Sequence, residues 1–114
     1  MPGKASRDKG RRGERKAAKA LTSMGLPAQR AAYAGHCCPD LEHGVEGVHI
    51  EVKYQSRPNI QAAYRQAVAD ASRQGCAAVC MTKMVTKQGG EPWLVTFDLV
   101  QLWTIIDAFE RARP

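Results

Sequence analysis

The chain lacks any long apolar run. No stretch of its 114 residues approaches the ~18–20 consecutive apolar residues of a membrane span. The first residues also lack the apolar core of a secretory leader, which leads to the expectation of a cytoplasmic protein. The four cysteines lack the CxxC turn of a structural zinc site. Cys37 and Cys38 are adjacent, and Cys76 and Cys80 lie four apart on a predicted strand. Reduced, mostly buried thiols are the expectation in a reducing compartment. No internal repeat or linker divides the sequence, so a single domain is expected over residues 10–114, preceded by a flexible basic arm over 1–9.

Charge is present, and it is placed unevenly. The formal net charge is +6. Residues 1–20 carry eight basic side chains (Lys4, Arg7, Lys9, Arg11, Arg12, Arg15, Lys16, Lys19) against Asp8 and Glu14, while the remainder balances nine against nine. The whole excess therefore sits at one end. Such an end suits a polyanion, and binding through it would weaken steeply with salt. A solvated basic tail with no partner is the plainer alternative.

Periodicity predicts a first helix over 11–24, with Ala17, Ala18, Leu21 and Met24 facing a core and Gly25 as its left-handed stop. A weak strand follows over 28–34. A second strand begins at Asp40, and Gly44 and Gly47 bracket a hairpin turn into a third over 48–54. In that third strand Val48, Ile50 and Val52 point one way, and His49, Glu51 and Lys53 the other. Asn59 and Gly75 bound a second helix whose stripe is Ile60, Ala63, Tyr64, Ala67, Val68 and Ala71. An apolar fourth strand over 76–81 should be central. A polar loop leads to a fifth strand over 93–97. Asp98 then caps a last helix with a stripe of Leu99, Leu102, Trp103, Ile106 and Phe109. The order αβββαββα places a helix between strands three and four, which permits a parallel crossover in a mixed five-stranded sheet flanked by helices.

Pro39-Asp40 followed by Glu51-Val52-Lys53 matches the PD-(D/E)xK nuclease signature. With Gly13-Glu14-Arg15, Arg30-Ala31, Gly35 and Gln66, the chain resembles the archaeal-type and phage Holliday junction resolvases over about residues 10–103. The resemblance implies a restriction-endonuclease-like core and a Mg²⁺- or Mn²⁺-dependent endodeoxyribonuclease. It further implies a homodimer that cuts four-way DNA junctions by paired nicks leaving 5′-phosphates, in a bacterial, archaeal or phage-infected cell. Neither a membrane nor a small-molecule cofactor is expected.

The residues suit that chemistry. Two carboxylates repel unless a cation lies between them, and oxygen donors favour hard divalent ions. The resemblance assigns Glu14, Asp40, Glu51 and the carbonyl of Val52 to the metal, with Lys53 and Gln66 as further catalytic residues. Lys4, Arg7, Lys9, Arg11, Arg12, Arg15 and Arg30 are the candidate DNA contacts. Taken singly, Glu51 and Lys53 could be an exposed ion pair, Asp40 a turn former, and Glu14 a complement to the helix dipole. The family often has a serine where this chain has Ala34, which leaves another branch open. The alternatives are a restriction-like or repair endonuclease acting on duplex or flap DNA, a non-catalytic DNA-binding module on the same fold, and a zinc-binding adaptor.

Overall fold

A computed structural model describes residues 4–31 and 41–114, with the side chains of the first helix described from Lys9 onward. The elements are α1 (Lys4–Ser23), β1 (Ala28–Arg30), β2 (Leu41–His43), β3 (Val48–Gln55), α2 (Ile60–Gln74), β4 (Ala77–Met84), β5 (Leu94–Thr96) and α3 (Leu102–Ala112), the last preceded by a 3₁₀ turn over Leu99–Gln101. The architecture is α/β, with three helices and mixed sheets.

The two-residue alternation of β3 sets the layering. Val48, Ile50 and Val52 join Val79 and Met81 of β4 in a buried cluster with Ala17, Ala18 and Leu21 of α1 and Ile105 and Ala108 of α3. Ala78 and Cys80, on the opposite face of β4, pack against Ala63, Ala67 and Ala71 of α2. The sheet therefore lies between α1 and α3 on one side and α2 on the other, and β3 presents His49 and Glu51 to the α2 side.

β3 and β4 pair in parallel with Glu51 opposite Cys80 and Lys53 opposite Thr82, and β5 runs antiparallel to β4. The expected crossover through α2 is present, and β4 is central as expected. Asn59 Oδ1 accepts from the Ala62 N–H at 3.0 Å, and Gly75, at φ +68°, closes the other end of α2.

Several expectations are corrected. The described strands form a three-stranded sheet, β3-β4-β5, and a separate antiparallel pair, β1-β2, in place of one five-stranded sheet. The hairpin expected between β2 and β3 is absent among the described residues, and β2 pairs with β1 instead, Arg30 opposite Leu41. The first helix begins at Lys4, inside the stretch expected to be a flexible arm. Lysine, arginine and alanine are all good helix formers, so the helix propagates back beyond its apolar face. Met24 is 70 % exposed, and Leu26 takes its place in the core. The Leu26 N–H donates to the Leu21 carbonyl and the Gly25 N–H to that of Thr22, each at 3.0 Å, which folds Leu26 back beneath the helix. On α3 the buried positions are Ile105 and Ala108, whereas Leu99, Trp103 and Ile106 of the expected stripe are exposed.

Candidate metal centre

Glu51 and His49 are the two strongly ionisable side chains buried in the described core, each 3 % exposed. Burying a carboxylate costs several kcal/mol unless charge and hydrogen bonds offset it, so such groups concentrate where chemistry or binding needs them. β3 carries both on its α2 face. Two residues further along the same face, Lys53 is half-buried.

α2 supplies the other wall. Asp70 and Gln74 lie one turn apart beside the buried Ala71. Gln74 Nε2 lies 3.4 Å from His49 Nδ1, and His49 Nε2 lies 3.9 Å from Glu51 Oε1. One donor atom each from His49, Glu51 and Asp70 falls within 4.8 Å of the others. Arg73 pairs with the outer side of Asp70.

α1 approaches β3 closely because Gly13 has no side chain; a Cβ there would meet Tyr54. That approach brings Glu14 within the electrostatic reach of Glu51, thirty-seven residues away in sequence. Burial pushes the Glu14 carboxyl above its ordinary pKa, the charge of Arg30 opposes that shift, and the Glu51 carboxylate adds to it. Arg30 Nε lies 3.4 Å from Glu14 Oε1, so the arginine expected on DNA is an ion-pair partner of the expected metal ligand.

The remaining expected residues divide by position. Val52 packs its side chain into the α1 face, and its expected role through the carbonyl is independent of that direction. Gln66 is exposed on α2, one turn before Asp70. Arg11, Arg12 and Arg15 are exposed on α1, and Lys9 is partly covered. Asp40, with Pro39, Gly35 and Ala34, lies outside the described residues, as do the side chains of Lys4 and Arg7. Cys76 and Cys80 lie on the α2 side of the sheet.

Sequence reasoning missed Asp70 and Gln74. Both lie off the expected apolar stripe of α2, and no motif in the sequence marks them. No family model matches the chain, and no curated protein matches it.

Proposed function

We propose that the chain is a metal-dependent, structure-selective DNA endonuclease of the PD-(D/E)xK type that resolves four-way junctions as a homodimer. The observation that carries this reading is the fully buried Glu51 of β3, within electrostatic reach of the partly buried Glu14 of α1. Carboxylates held in mutual repulsion, with the Val52 carbonyl beside Glu51 in the chain, are an oxygen donor set that fits Mg²⁺ or Mn²⁺. Such an ion, when bound, lowers the pKa of water and neutralises charge on the phosphate.

The chain's own groups do the rest. Glu51 and Glu14, with Asp40, would hold the ion, and Arg30 fixes the carboxylate of Glu14. Lys53, on the same strand face as Glu51, would stabilise the negative charge that grows on the phosphate oxygens. Arg12, Arg15, Lys16 and Lys19 are exposed along α1 and offer a track for the phosphate backbone, which favours recognition of DNA shape over base sequence. Leu99, Val100 and Trp103 are 78, 87 and 77 % exposed, and that apolar surface supports pairing of two copies around a two-fold axis.

The test is a cleavage assay with Mg²⁺ on a four-way junction, a linear duplex and a flap, comparing the wild type with Asp40→Asn and Glu51→Gln. Paired nicks in the junction, lost in both variants, are expected. Preferential cutting of duplex or flap would support the restriction-like or repair alternative. Tight DNA binding without cleavage of any of the three would leave a binding module.

A further inference from the structure

We propose that His49, Glu51 and Asp70 form a distinct transition-metal site on the α2 face of the sheet, with Zn²⁺ the ion that best suits its donors. It shares Glu51 with the proposed nuclease centre but draws its other ligands from elsewhere, and it does not depend on that reading.

The donor set differs in kind from the one above. Hard ions such as Mg²⁺ take oxygen donors, whereas an imidazole beside two carboxylates suits Zn²⁺ and its first-row neighbours. The spacing suits one small ion. His49 Nε2 and Glu51 Oε1 stand 3.9 Å apart, longer than a hydrogen bond. Two donors bound tetrahedrally to the same ion at about 2.0–2.2 Å lie roughly 3.3–3.6 Å apart, a little closer than this pair. The donor atoms of all three residues lie within 4.8 Å of one another, so closure on an ion requires only small side-chain movements.

The surroundings resemble those of a metal-binding histidine. Gln74 lies against Nδ1 from α2 and holds the ring with Nε2 towards Glu51. Ligation through Nε2 requires the proton on Nδ1, so the Gln74 amide would turn over to accept the Nδ1–H through its oxygen. His49 and Glu51 are fixed on one rigid strand and almost fully buried, whereas the Asp70 side chain is 22 % exposed and forms the open side through which an ion would enter. Arg73 pairs with Asp70 on that open side and competes with a cation for it. Three protein ligands leave one tetrahedral position for water or an incoming anion.

The experiment titrates the metal-free full-length chain with Zn²⁺ against a chromophoric chelator, and with Co²⁺ followed by its visible absorption. One equivalent per chain is expected, undisplaced by excess Mg²⁺, with the spectrum of nitrogen and oxygen ligation and no thiolate-to-cobalt band. Asp70→Asn should abolish the site, and its position at the open edge keeps the fold intact, as circular dichroism would verify. Gln74→Ala should weaken binding about 10–100-fold, and Arg73→Ala should tighten it. Wild-type affinity in folded Asp70→Asn, a thiolate band, or the absence of Zn²⁺ binding by the wild type would each overturn the site. Because the readout is metal binding, failure to cut DNA would remove the nuclease reading and leave this one standing.

Discussion

Gly13 on α1 backs onto Tyr54 on β3 so closely that a Cβ at Gly13 would stand 2.5 Å from the Tyr54 Cβ. The helix backbone at Gly13 meets the base of the Tyr54 side chain there, and a Cβ fixed to the strand cannot step aside without moving its element. Gly10, one turn earlier, has nothing within 4 Å of the same position. Alanine is favoured over glycine in a helix by ~1 kcal/mol. Gly10→Ala should therefore stabilise the protein by up to that amount. Gly13→Ala should destabilise it by about 1–3 kcal/mol through overpacking. Urea denaturation of the two variants reads the difference, and equal effects would show that the contact does not constrain α1.

Asn59 accepts the Ala62 N–H at the start of α2, the helix that carries Asp70 and Gln74. Asn59→Ala should lower stability by about 0.5–2 kcal/mol. Asn59→Asp should retain most of it. Chemical denaturation of both variants measures the cap.

On α3 the buried face is Ile105 and Ala108, while Trp103 is exposed. Ile105→Ala should cost about 2–5 kcal/mol, as expected for truncation in a packed core. Trp103→Ser should change monomer stability by no more than about 0.5 kcal/mol. If Trp103 lies in a dimer interface, sedimentation at several concentrations will show weaker self-association for Trp103→Ser at unchanged fold. A large loss of monomer stability in Trp103→Ser would place the buried face of α3 elsewhere.

His43 is held below its ordinary pKa, chiefly by burial and further by the charge of His49, and its Nδ1 accepts the Val45 N–H at 3.1 Å. In the unfolded chain it takes up a proton near pH 6.5, before the folded protein does. Its contribution to stability is therefore complete above pH 6.5 and is lost as the pH falls towards the depressed folded value, at up to about 1.4 kcal/mol per pH unit. His43→Gln should flatten that part of the stability profile. An NMR titration should place the His43 midpoint below 6.5, and a midpoint at or above it would contradict the buried, neutral ring.

Local rules carried much of the fold. The alternation over 48–54 and the Asn59 and Gly75 signals needed only neighbouring residues, and they correctly placed β3, α2 and the parallel crossover to β4. Where several apolar residues competed for one core, local rules failed. The apolar arc of α3 is wider than one contact face, so its period could not tell Ile105 from Trp103. Met24 fits the period of α1, yet the glycine turn at Gly25 hands its place to Leu26. The pairing of β2 with β1 rather than β3 likewise depended on contacts between distant segments.

The sequence by itself determined a basic end, a strand with one apolar and one ionisable face, and the helix that crosses over to its parallel neighbour. Each rests on interactions within a few residues. Only the tertiary structure decided that Glu51 is buried against α2 with His49 and Asp70, and that Glu14 on α1 pairs with Arg30 within electrostatic reach of Glu51. The reason is physical: burial and electrostatic proximity belong to the packing of whole elements, and no periodicity along the chain encodes which charged groups those elements bring face to face.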